Sequence, residues 1–135
     1  MFAIDQRLKY RNFFSSAIIK RCVERGVNFI DTAEVYRCQS PEKGWKTNES
    51  VVGSAIQAIG RDKVVVCTKH FPGGWEAIFL GKELPKTKED LRTVIKTACE
   101  NSLKELNIDC IDLYYLHRMY PDPIEIEDVM EIYKG

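Results

Sequence analysis

No apolar run in this 135-residue chain approaches the roughly 20 residues needed to cross a bilayer, so no membrane insertion is expected. No charge of one sign dominates either. Twenty basic side chains balance twenty acidic ones, which speaks against a nucleic-acid partner and against an anionic membrane surface. Met1 to Tyr10 carries Asp5, Arg7 and Lys9 and no apolar core, so no secretory signal is read there and a cytoplasmic location is expected. The five cysteines (Cys22, Cys38, Cys67, Cys99 and Cys110) are odd in number and include no Cys-x-x-Cys pair. Four of them fall inside apolar helix or strand patterns and read as buried, reduced thiols, with Cys38 alone expected to be exposed; no metal site is predicted. Asn48-Glu49-Ser50 fits a glycosylation acceptor but is silent without secretion. Internal repeats, low-complexity tracts and a Gly-x-Gly-x-x-Gly fingerprint are all missing.

What is present is an alternation. The composition, 44% hydrophobic and 10% aromatic, suits one globular domain or a piece of one. Ser15 and Ser16 precede Ile18, Ile19, Cys22 and Val23 at helical spacing, and Gly26 is a helix stop. Val27 to Ile30 reads as a short buried strand, and Arg37 to Lys46, with Pro41 and Gly44, as a polar loop. Thr47 or Asn48 caps a helix that buries Val51, Val52, Ala55, Ile56 and Ile59 and stops at Gly60. Val64 to Lys69 is a continuous apolar strand, the pattern of a parallel sheet. Residues 71–86, with Pro72, Gly73, Gly74, Gly81 and Pro85, read as a long loop. Thr87-Lys88-Glu89-Asp90 is a capping box for a helix running to about Asn107. Cys110 to His117 is the third strand, Pro121 and Pro123 break the chain, and a last helix begins near Ile126. Strands separated by helices imply right-handed crossovers and a parallel α/β sheet.

Three of these strands deliver polar groups at their C-terminal ends. The first ends in Asp31, with Tyr36 five residues on; the second ends in Lys69 and the third in His117. In a parallel barrel that edge is where active sites are built. The set suits carbonyl reduction. A tyrosine hydroxyl with a pKa of about 10 is a sluggish acid at neutral pH, and a neighbouring ammonium makes it a better donor. Lys69 would supply that charge, Asp31 would hold Lys69, and His117 would hydrogen-bond the substrate carbonyl. Each residue also has a plainer reading: Asp31 as a turn cap, Tyr36 as a loop aromatic, Lys69 as a solvated strand end, His117 as a structural histidine.

Gly26-Val27-Asn28-Phe29-Ile30-Asp31-Thr32-Ala33-Glu34-Val35-Tyr36 resembles the first signature of the aldo-keto reductase family. Asn48 to Ile56 is similar to the helix that follows, Arg61 to Lys69 to the family's lysine strand, and Ser102 to Arg118 to the segment carrying its histidine. The resemblance implies a partial (β/α)8 TIM barrel of about three to four β/α units across residues 1–135. It implies reduction of a small aldehyde or ketone with a nicotinamide cofactor, usually NADPH. It places the catalytic tetrad on Asp31, Tyr36, Lys69 and His117, with Asp31 also near the nicotinamide ribose.

The Lys69-to-His117 gap is long, and residues 71–86 read as an inserted loop, either a lid or wall at the catalytic edge or a surface decoration. Trp45, Trp75 and Phe79 are candidate wall residues. A complete barrel of this kind takes roughly 250 residues and about eight strands. The family's glycine-rich first strand is not recognisable in Met1 to Phe14, and the half that carries most of the nicotinamide site is not seen. A fragment of a longer product, an inactive shortened relative, or a chain that self-associates or binds a second chain to cover its sheet edges are the alternatives this leaves.

Overall fold

The computed structural model describes residues 16–40, 44–119 and 124–134, apart from the side chains of residues 38–40, 44 and 45. The segment Met1 to Phe14, Ser15, Pro41, Pro121, Pro123, the thiol of Cys38 and the side chain of Trp45 therefore lie outside the described residues.

Residues 16–24 form helix α1, which ends in a turn where Gly26 takes a φ of 88°, a value that strains any residue with a Cβ. Strand β1 (Phe29–Asp31) follows. Helix α2 (Asn48–Ile59) is capped by Thr47, whose hydroxyl accepts from Ser50 N–H at 2.9 Å. A 3-10 turn (Arg61–Lys63) leads into strand β4 (Val65–His70). Helix α4 (Lys88–Leu106) starts at the expected capping box: Thr87 Oγ1 accepts from Asp90 N–H at 3.1 Å. It ends at Asn107 in the left-handed region. Strand β5 (Leu113–Leu116) and helix α5 (Ile126–Tyr133) complete the described chain.

The three strands form one parallel sheet in the order β1-β4-β5. Register aligns Asp31 with Cys67 and Leu113, and Lys69 with Tyr115. Side chains alternate between faces. Val66 turns to the helix layer, where it packs with Val52 and Ile56 of α2 and Leu106 of α4, flanked by Ile19, Val23 and Ile30. A second cluster joins Leu91 and Ile95 of α4 to Val129 of α5, against Tyr114 and Leu116. Helices α2 and α4 meet at Gly53, where a Cβ would lie 2.4 Å from the Leu106 carbonyl oxygen. The Val52-Gly53 pair is thus a close-packing device.

Four expectations need correction. Arg37 to Lys46 is not a plain loop: Arg37–Ser40 (β2) and Gly44–Thr47 (β3) pair as an antiparallel hairpin, stabilised by backbone pairing in a segment with no apolar alternation to signal it. Residues 71–86 are not all loop, because Gly74–Phe79 forms a short helix, α3, that sets Trp75 against Arg37 of β2. The first strand is not buried, and the second is not covered on both faces along its whole length: Phe29 and Val65 are 52% and 36% exposed, since among the described residues no layer covers that end of the sheet opposite the helices. Cys22 and Cys110 are exposed and Cys99 is half-buried, leaving Cys67 alone fully buried among the described thiols. The helical spacing placed Cys22 near the edge of its apolar stripe, and Cys110 precedes the strand proper.

Candidate active site

The sheet brings Asp31, Tyr36, Lys69 and His117 to its C-terminal edge. Asp31 closes β1, Lys69 is the next-to-last residue of β4, and His117 directly follows β5, its N–H bonded to the His70 carbonyl at 2.8 Å. Tyr36 is carried on the turn after β1. Its N–H donates to the Ala33 carbonyl at 3.1 Å and its carbonyl accepts from Asn48 N–H at 2.7 Å, so the first turn of α2 fixes the residue's position. Thr32 Oγ1 donates to Asn48 Oδ1 at 2.9 Å, tying the same turn a second time.

Lys69 is 7% exposed, and burial of an ammonium demands partners. It has two: Asp31 Oδ1, in a short ion pair, and the Thr32 carbonyl at 2.7 Å. Its Nζ lies 5.2 Å from the ring centre of Tyr36 and 5.2 Å from that of Tyr115. The Tyr36 and His117 rings meet edge-on with centroids 5.8 Å apart, and Phe71 packs on the other side of His117 at 6.0 Å. Both ring nitrogens of His117 are buried with no protein partner. A buried polar atom without a partner is rare, and here it points to a group the site receives.

The electrostatics divide the site. Burial works against ionised Asp31, but the Lys69 and Tyr115 hydrogen bonds overcome it and hold the carboxyl below its ordinary 3.8. His117 is pushed below the ordinary 6.5 by burial, then by the charges of Lys69 and Arg118, so its imidazole is neutral at neutral pH.

Several residues with no obvious sequence signal belong to this edge. Tyr115, two positions before His117 on the same face of β5, donates to Asp31 Oδ2 at 2.9 Å; the period of a strand was the available clue. Glu34 is 2% exposed, and burial raises its carboxyl to about 7 although Phe71 N–H donates to its Oε1 at 2.7 Å. Glu49, fully buried at the start of α2, accepts from Thr68 Oγ1 at 2.7 Å, and burial raises it as well. Ser102 is near enough to favour its charged form, yet Glu49 Oε2 and Ser102 Oγ make no hydrogen bond of normal geometry. His70, on the helix face of β4, shares a 2.8 Å hydrogen bond with Tyr133 and is lowered to about 4 by burial.

Trp75 of α3 carries the Arg37 guanidinium 4.4 Å from its ring centre, and Arg37 Nε donates to the Glu34 carbonyl at 2.5 Å. Residues 71–86 are therefore docked on the turn that bears Tyr36. Between them and α4 lies a cleft of about 230 Å³ lined by Glu34, Trp75, Glu76, Lys82, Thr97 and Asn101. A larger open cleft, about 520 Å³, sits at the other end of the strands around Gln57, Arg61 and Asn107 and contains none of the four groups.

A nicotinamide would meet a partial fit. Asp31 is half-exposed, and each of its oxygens keeps a lone pair that a ribose hydroxyl could use. No group of His, Cys, Asp or Glu able to hold a metal ion occurs among the described residues, and none of their helices is long and apolar enough to cross a membrane.

Residues 7–134 match the sequence profile of the Aldo/keto reductase family. The chain is 34% identical over 120 residues to "Probable aldo-keto reductase 1" of Glycine max, a match that covers 87% of this chain and 30% of that protein. In architecture it is similar to the crystal structure of a thermostable aldo-keto reductase in complex with the inhibitor epalrestat, with a TM-score of 0.61 at 24% identity over 92% of this chain and 37% of that one. The sheet is accordingly a three-strand arc of a (β/α)8 barrel. With the profile matched along nearly its whole length, this chain belongs to the aldo/keto reductase family.

Proposed function

We propose that this chain supplies the proton-delivery half of an NAD(P)H-dependent carbonyl reductase, with Tyr36 as the proton donor to a small aldehyde or ketone. The observation that carries this reading is the Lys69 ammonium, buried, paired with Asp31 and set against the Tyr36 ring, with the partnerless His117 imidazole across from it. A reduced nicotinamide, NADPH by family preference, would supply the hydride when bound. As negative charge develops on the carbonyl oxygen, neutral His117 donates one N–H to it and fixes its orientation. Tyr36 passes its hydroxyl proton to that oxygen, and Lys69 stabilises the phenolate left behind. Asp31 keeps Lys69 charged and in place, and is the one residue here proposed to touch the cofactor ribose. Free thiols at Cys22, Cys67, Cys99 and Cys110 fit a reducing, cytoplasmic setting.

The test is an NADPH fluorescence titration of the purified chain, with a carbonyl-reduction assay on wild type and Tyr36→Phe. Saturable binding and a loss of about 10²–10⁴ in turnover in the variant are expected. Absence of cofactor binding by a folded sample would contradict the reading.

A second reading draws on the sheet face opposite the helices, where Phe29, Val65 and Leu113 are 52%, 36% and 46% exposed. An apolar row of this kind suits a covering chain, either a second copy or a partner. Self-association without turnover, seen by sedimentation, would favour that role.

A further inference from the structure

Tyr115 stands beside Lys69 in the sheet register, on the face shared by Asp31 and Cys67. Its hydroxyl donates to Asp31 Oδ2 at 2.9 Å, while Lys69 takes Oδ1. The carboxylate is therefore held at both oxygens. A terminal carboxyl torsion is broad, so a single contact would let the half-exposed Asp31 swing. The ammonium is engaged in turn: Asp31 and the Thr32 carbonyl take two of its N–H donors, and the ring centres of Tyr115 and Tyr36 both lie 5.2 Å from it.

We infer that Tyr115 is a positioning residue that locks the Asp31 carboxylate at its second oxygen, so that Lys69 presents its remaining N–H to Tyr36. Its catalytic consequence rests on the carbonyl-reductase reading; the contact itself does not. The two tyrosines flanking Lys69 have opposite duties. Loss of the Tyr115 proton would set a phenolate against the Asp31 carboxylate, and the Cys67 sulfur, burial and Asp31 all disfavour that ionisation. Tyr115 therefore remains a donor to Asp31. Around Tyr115 the charged and titratable neighbours are Asp31 of β1 and Lys69 and Cys67 of β4.

Tyr115→Phe keeps the ring and removes the donor. In the full chain, side-chain carboxyl NMR should show Asp31 titrating at higher pH in Tyr115→Phe than in wild type. An unchanged Asp31 titration in a folded variant overturns the inference. Should the variant not fold, the wild-type Tyr115 ring resonance decides. It should stay protonated through the pH at which an ordinary tyrosine, pKa about 10, ionises, and ordinary titration there overturns the inference. Where wild type turns over, kcat should fall about tenfold with KM nearly unchanged, the size of one lost charge-assisted hydrogen bond; an unaltered kcat overturns the positioning role. Absence of wild-type turnover would count against the carbonyl-reductase reading, while the two NMR measurements still decide this one.

Discussion

Asp31, at the end of β1, and Glu34, on the turn that follows, lie three residues apart and meet opposite fates. Asp31 is half-exposed, bonded to an ammonium and a tyrosine hydroxyl, and stays ionised below the ordinary carboxylate range. Glu34 is buried with one backbone N–H and no side-chain cation bonded to it, and its carboxyl rises to about 7. Glu49, close enough to add repulsion, and Glu76 push the same way, against a weaker pull from Arg37. A half-exposed carboxyl with a committed cation is kept as a charge; where a buried one has only a dipole, desolvation decides. Asp31's folded-state pKa lies below its ordinary value, so it contributes stability that is present above 3.8 and lost as pH falls through the folded value. Glu34's lies above, so its contribution is full below 4.5 and lost as pH rises through about 7.

The largest disruption of this contrast is Lys69→Met. Where the proposed carbonyl reduction is seen it should fall by about 10³, and Asp31 should titrate higher, since Tyr115 and His117 alone would still favour its charged form. Steady-state kinetics and carboxyl NMR check the two parts. Next comes Glu34→Gln, which keeps an acceptor for Phe71 N–H without the ionisation. Between pH 4.5 and values well above 7 wild type should lose about 3 kcal/mol more stability than the variant, since Glu34 ionises only in wild type while the raised Glu49 titrates in both. Urea denaturation near pH 4.5 and again above 7 measures the difference. Thr68→Val removes the donor at 2.7 Å from buried Glu49 Oε1, leaving neither oxygen with a hydrogen bond of normal geometry. A loss of about 1–3 kcal/mol in chemical denaturation is expected. Smallest is Arg37→Met, which removes the stack on Trp75 and the nearby positive charge. It should cost about 1 kcal/mol and move Glu34 higher still, by the same denaturation and NMR readouts.

How much of this was legible depended on whether an element carried its own signal. The apolar runs before Asp31, Lys69 and His117 marked parallel strands, and a polar residue at the end of such a run is visible without a structure. The caps at Thr47 and Thr87 were readable because side-chain chemistry at a helix start is local. The paired strands Arg37–Ser40 and Gly44–Thr47 were not, since their pairing is backbone to backbone and Cys38 and Trp45 are too few to make an apolar alternation. Phe29 looked buried because an apolar strand residue usually is; its exposure depends on what lies over the other face, which no local pattern records. Glu34 carried no signal at all. Its burial comes from the docking of residues 71–86 on the turn, a tertiary event set by Phe71 and Trp75. Tyr115 was half-visible: the two-residue period from His117 gave its face, but only the register of β1 against β4 and β5 brings Asp31 within reach.

The central claim is that Lys69 and Asp31 form a committed charge pair beneath Tyr36, while the neighbouring buried carboxyl has no such partner. One carboxyl titration of the wild-type chain by NMR tests it. Asp31 should titrate below its ordinary 3.8 and Glu34 near 7, on opposite sides of the usual carboxylate range. Two carboxyls titrating together at ordinary values in a folded sample would contradict the account, because neither the ion pair nor the burial could then be as described.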